Sequence, residues 1–201
     1  MHRLAIAFLL LTTGVARAEP ALTVSCEDAL FAKDSSHARL VAAFGKQNVA
    51  LVSENGVAGA EVKSVIYPND PKRKLTVEWD DVKARAVPRV LIIEKPSQWV
   101  APKGVRIGTP LAELEQLNGA PFTIIGFGGF LGGQVGWSGG LHMQPGGCFI
   151  GAQLEPTVKL PKPQNDKVPS NNITSYTSTD PPMRQAQPVI ARLLVSFMVG
   201  R

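Results

Sequence analysis

The chain has 201 residues, 44% of them apolar and 18% charged, with 21 Lys and Arg against 16 Asp and Glu. That size suits one compact domain or two small ones, able to bury a core without a metal. The formal net charge of +5 is scattered rather than gathered into a stripe, which speaks against nucleic acid as a partner. No apolar run approaches the roughly 20 residues needed to span a bilayer, so no transmembrane segment is expected.

Residues 1–18 read as an export signal peptide: Arg3, the apolar run Leu4 to Leu11, then Ala16-Arg17-Ala18 just before Glu19-Pro20. Cleavage after Ala18 leaves residues 19–201 as the mature domain and predicts a periplasmic or secreted protein. No cysteine opens the mature chain, so a lipid anchor is not expected. In a compartment that oxidises thiols, the two cysteines, Cys26 and Cys148, are expected to form a disulfide.

Ser35 to Gly45 carries a serine cap, apolar residues at helical spacing (Leu40, Val41, Phe44) and a glycine stop, which predicts a short helix. Four antiparallel strands come next, at Asn48 to Ser53, Glu61 to Tyr67, Lys74 to Trp79 and Arg89 to Glu94. They are separated by turn chemistry such as Asn55-Gly56 and Pro68-Asn69-Asp70-Pro71. The basic trio Lys72-Arg73-Lys74 falls in a hairpin loop.

The same grammar then restarts. Val105-Arg106-Ile107-Gly108 leads into Thr109 as a cap, Pro110 at the first helical position, Leu111, Leu114 and Leu117 on one face, and Gly119 as the stop. Strands are expected at Phe122 to Phe127, Gln134 to Trp137, Cys148 to Leu154 and Val189 to Met198. Ser35 precedes Gly45 by ten residues, as Thr109 precedes Gly119, a weak internal repeat with a period of 74. The fold class is therefore α+β, short helices packed on antiparallel β-sheet. Two tandem helix-plus-four-strand units, 19–100 and 101–201, are one arrangement this spacing allows. Residues 156–188 turn to Pro, Ser, Thr, Asn and Lys and read as an excursion from the core, poorly ordered between Lys159 and Thr179, with one helical turn beginning near Asp180.

The stretch GVRIGTPLAELEQLNGAPF, Gly104 to Phe122, resembles a signature of small exported bacterial proteins: a strand ending in Ile-Gly, a Thr or Ser cap, a short helix, then Gly-x-Pro. It is similar to the unit of β-lactamase-inhibitor-protein-like folds and of the small lipoprotein of the outer-membrane barrel-assembly machinery. Continued through GFGGFLGG and GWSGG, it also resembles a group of uncharacterised periplasmic proteins. The resemblance covers about a fifth of the chain. It implies a helix-on-sheet scaffold without an active site, often used to hold another macromolecule.

Candidate chemistry centres on Gly126 to Gly140, where glycine alternates with Phe127, Phe130, Leu131 and Trp137, ahead of His142. One reading is a twisted hairpin whose aromatics fill the core. The other is a binding face made from Phe127, Phe130, Gln134, Trp137 and His142, taking a protein or a cell-envelope glycan. A carbohydrate-binding module would use Trp137, Phe127 and Phe130, with Gln134 and Ser138 supplying hydrogen-bond groups beside Trp137. Gly136, Ser138 and Gly140 match the spacing of a nucleophile elbow, and Ser138 with His142 would serve an envelope-acting hydrolase, but no helix is expected to follow. Cofactor and metal sites are not expected: His37 and His142 lack ligand-spaced partners and read as surface or capping residues, and the acids Glu78, Asp80 and Asp81 read as a solvated strand end. The sequence thus favours a non-enzymatic binding or scaffold protein.

Overall fold

A computed structural model describes residues 21–56, 59–160 and 174–198. The expected export signal, residues 1–18, and much of the Pro/Ser/Asn-rich excursion lie outside them. Helix α1 spans His37–Phe44, and a short 3-10 turn, Lys46–Asn48, leads into the strands β1 (Val49–Gly56), β2 (Gly59–Ile66), β3 (Leu75–Asp81) and β4 (Ala86–Glu94). Helix α2 (Leu111–Asn118) precedes β5 (Thr123–Ile125), β6 (Val135–Gly136), β7 (Met143–Gln144) and β8 (Cys148–Glu155). The chain closes with β9 (Ser175–Thr177), helix α3 (Pro181–Ala186) and β10 (Val189–Phe197).

All the ladders are antiparallel, and they form two sheets: β1-β2-β3-β4-β10-β8-β7 and β6-β5-β9. The α+β class is immediate from this pairing. Strand β10 joins the halves, setting Leu193 against Ile93 of β4 on one side and against Ala152 of β8 on the other. The two halves therefore contribute to one buried core. The second half sends β5 and β6 into the small sheet.

Period-two alternation puts Ile66, Leu75, Val77, Leu91, Ile93, Leu193, Val195 and Ile150 on one face of the large sheet, all buried. Leu40 and Phe44 of α1, Leu111 and Leu114 of α2, Phe122, Ile124 and Met183 pack on that face in one continuous cluster. Cys26 and Cys148 lie at disulfide distance, with Cα atoms 5.6 Å apart, and fasten the N-terminal segment to β8. Among the described residues no helix is long and apolar enough to cross a membrane.

One local expectation is made specific and two are corrected. The cap of α1 is Ser36, which accepts from the Arg39 N–H, while Ser35 is fully buried and bonds to the Leu30 carbonyl. Val105 to Gly108 is a turn with one isolated bridge, and Thr109 bonds back to Arg106 instead of capping α2. The excursion is ordered earlier than expected: β9 lies in it because Tyr176 joins the core, while α3, with Met183 and Ala186 buried, forms at the helical turn expected near Asp180.

Candidate functional site: a glycine-rich loop at the end of the small sheet

Strands β5 and β6 are short because glycine supplies no side chain to pack, so the chain between them leaves the sheet as a loop, residues 126–134. Its base is closed by Ile125 N–H to the Gln134 carbonyl, Gly133 N–H to the Ile125 carbonyl and Gly126 N–H to the Thr174 carbonyl, each 2.9 Å. Strand β8 holds the far side. Leu154 donates to the Gly133 carbonyl at 2.8 Å, and the Gln153 side-chain amide donates to the Gly132 carbonyl at 2.7 Å.

Gly133 shows why the position needs glycine. Its φ is +77°, and a Cβ there would sit 1.9 Å from the Leu154 carbonyl oxygen. Gly132 is nearly as tight, with its Cβ position 2.7 Å from the Phe127 carbonyl. The glycines thus allow the loop to fold onto β8 and onto itself.

At the tip, Gly132 N–H bonds to the Gly129 carbonyl, leaving Phe130 and Leu131 as the central residues of a turn. Phe130 is 92% exposed and Leu131 44%. Turns favour Gly, Asn, Asp and Pro at such positions, so two large apolar side chains there gain nothing for folding.

The other residues of the predicted binding face go elsewhere. Phe127 packs against the core. Trp137 lies edge-on to Phe122, ring centres 4.6 Å apart, and its indole N–H donates to the Ile150 carbonyl at 2.7 Å, so it is a half-buried core residue. Gln134 is exposed at the foot of the loop, bridged through its backbone to Gln153. His142 is exposed on a separate turn, its ring 5.4 Å from that of Phe149 on β8. The Ser138 hydroxyl donates to the Pro121 carbonyl, and no hydrogen bond joins it to His142. Buried Asn118 shapes this turn: its backbone carbonyl accepts from Gly140, its side-chain oxygen accepts from Leu141, and its amide donates to Ala120.

A second constellation escaped sequence reasoning because its members are scattered. Fully buried Ser64 accepts from the Trp79 indole N–H at 3.0 Å and lies 2.9 Å from His37 Nδ1. A hydroxyl that accepts from Trp79 and donates to His37 Nδ1 is satisfied in both roles, an arrangement that matches a neutral imidazole with its proton on Nε2. Burial, and secondarily the Arg85 charge, holds the His37 pKa below its ordinary 6.5. Arg85 and Val87 nearby adopt positive φ of 52° and 60°, strain that the bonds from His37 N–H to the Arg85 carbonyl and Val87 N–H to the Ser35 carbonyl hold in place. His37 is thus a partner within the fold. Ser64 is fully enclosed, which suits a structural hydroxyl.

On the opposite face of the sheet, Lys63 lies 2.9 Å from both Glu54 and Glu78, and Arg89 reaches Glu78 at 3.0 Å. Burial alone would pull the Lys63 pKa down, but the hydrogen bonds its ammonium donates to Glu78 and Glu54 raise it. Glu78 therefore sits in an ion-pair network and not at a solvated strand end, while Asp80 and Asp81 are exposed. Among the described residues no group of three or more His, Cys, Asp or Glu is placed to hold a metal ion. No family model, curated protein or solved structure matches this chain.

Proposed function

We propose that this protein is a non-enzymatic binding module of the periplasm or extracellular space, and that it engages a protein partner through Phe130 and Leu131. The observation that carries this reading is a pair of exposed apolar side chains on a loop pinned by hydrogen bonds on both sides. A pre-ordered apolar tip loses little conformational entropy on binding, so its burial goes into affinity. A protein pocket suits these side chains better than a glycan: sugar stacking wants an open aromatic face beside hydrogen-bonding groups, and the Trp137 ring and N–H are both engaged internally. The export signal and the resemblance of Gly104 to Phe122 to exported scaffold units agree with this role.

The test is a photo-crosslinking residue at Gln134, at the foot of the loop, in mature protein mixed with envelope extract. The proposal expects a discrete, protease-sensitive adduct that disappears when Phe130→Ser is added, and no such adduct from a probe at exposed Lys83. An adduct that persists in the Phe130→Ser background, or equal labelling from Lys83, contradicts it.

A further inference from the structure

The large sheet has two edges, and the chain treats them differently. On the β8 side, β7 pairs at one end, with Gln144 on Cys148, and Gly133 and Gln134 of the glycine-rich loop pair at the other. On the opposite side β1 is the last strand.

Antiparallel partners alternate between hydrogen-bonded and non-hydrogen-bonded pairs. Tyr67 donates its N–H to the Asn48 carbonyl at 2.7 Å, and the register then makes 50/65, 52/63 and 54/61 the next hydrogen-bonded pairs. The N–H and C=O groups of Val49, Leu51 and Ser53 accordingly point away from β2. None of them is hydrogen-bonded to another described residue. Free edges are normally blunted by lysine, proline, a bulge or short length. Strand β1 has none of these: it is eight residues long, its register with β2 runs unbroken, and its single charge, Glu54, is held by Lys63. Leu51, in mid-strand, is 42% exposed.

We infer that β1 pairs antiparallel with β1 of a second copy of this chain, with Leu51 on the two-fold axis. The strand is self-complementary in that register. Leu51 meets its own counterpart, Val49 faces the second copy's Ser53, and Ala50 faces the second copy's Val52. Glu54 lies opposite the second copy's Asn48, so no like charges oppose one another. Every outward N–H and C=O from Val49 to Ser53 gains a partner, and the sheet continues across the axis. This inference is independent of the loop at residues 126–134.

The test uses the mature protein with its Cys26–Cys148 link intact. Leu51→Cys places two thiols opposite each other across the axis, at a Cα separation of about 5.5 Å, and should yield a covalent dimer under mild oxidation. Ser53→Cys alone should not, because its opposite number is Val49, whereas a mixture of Val49→Cys and Ser53→Cys should give cross-linked heterodimers. Leu51→Pro removes only an outward N–H, so it should leave the melting transition in place while weakening dimerisation about tenfold or more, read by sedimentation. Equal cross-linking of Ser53→Cys and Leu51→Cys, a monomeric Leu51→Cys protein with an unchanged melt, or an unmodified protein that sediments as a monomer at high micromolar concentration would overturn the inference.

Discussion

Helix α1 with the hairpin β1–β2 and helix α2 with the hairpin β5–β6 lie 74 positions apart: His37 and Phe44 bound the first helix, Leu111 and Asn118 the second, and Val49 and Thr123 open the next strand in each case. From there the paths diverge. Strands β1 and β2 run eight residues each and part for only residues 57 and 58, whereas β5 and β6 run three and two and are separated by residues 126–134. Alternating Val, Ala, Leu and Glu side chains let the first hairpin pack on one face and continue the sheet. The glycines of the second hairpin offer nothing to pack, so it peels into the small sheet, and β8 and β10 extend the large sheet from β4. One helix-and-strand pattern thus serves two topologies, and the residues beyond the first strand make the choice.

The two halves meet their severest test at the link that fastens them together. Replacing Cys26 and Cys148 by Ala releases a link spanning 122 positions, for which loop entropy suggests about 5 kcal/mol. The melting midpoint should fall by roughly 10 °C, and an unchanged midpoint would mean that the halves hold together without it. Next in size is Gly133→Ala. Its Cβ collides with the Leu154 carbonyl at a positive φ, so a loss of about 2 to 3 kcal/mol is expected in denaturant unfolding. Gly108→Ala, also at positive φ but in open space, should lose only about 1 kcal/mol.

In the first half, Ser64→Ala leaves the Trp79 N–H and His37 Nδ1 unpaired and should lose about 1 to 3 kcal/mol. The same cluster gives a pH dependence. The folded-state pKa of His37 lies below its ordinary 6.5, so below that value the unfolded chain binds more protons than the folded one. Stability should therefore be complete above about pH 6.5 and decline as pH falls from there toward the folded-state value. His37→Gln should remove that part of the slope, and an identical pH profile in the variant would contradict the assignment. The smallest effect falls at the loop tip: Phe130→Ser should change stability by less than about 0.5 kcal/mol, since the ring is almost wholly solvent-exposed.

Much of the architecture was legible in the chain. Both eight-residue helices end at the predicted glycines, with Gly119 in the left-handed conformation, and the four strands expected after each helix are present within a few residues. What escaped depended on tertiary context. The two-residue β7 and three-residue β9 are too short to carry a periodic signal, and they exist because β8 and β5 offer edges to them. Tyr176 and Met183 were hidden in a Pro- and Ser-rich context that masked their burial. At the candidate site, glycine density pointed to the right segment, but composition could not sort its aromatics. Trp137 turns inward because a carbonyl of β8 awaits its N–H, whereas Phe130 turns outward because it occupies a tight turn. The His37, Ser64 and Trp79 contact joins residues up to 42 positions apart and left no local trace.

That the second hairpin presents Phe130 and Leu131 from a fixed base can be decided by amide hydrogen exchange on the folded protein. The bonds across the base predict slow exchange at Gly126, Gly133 and Leu154, comparable to the strands, with fast exchange confined to residues 127–131, whose N–H groups bond to no described residue. Exchange at Gly133 and Leu154 as fast as at Phe130 would mean that the loop is not held against β8 and that Phe130 and Leu131 are not a pre-ordered contact element.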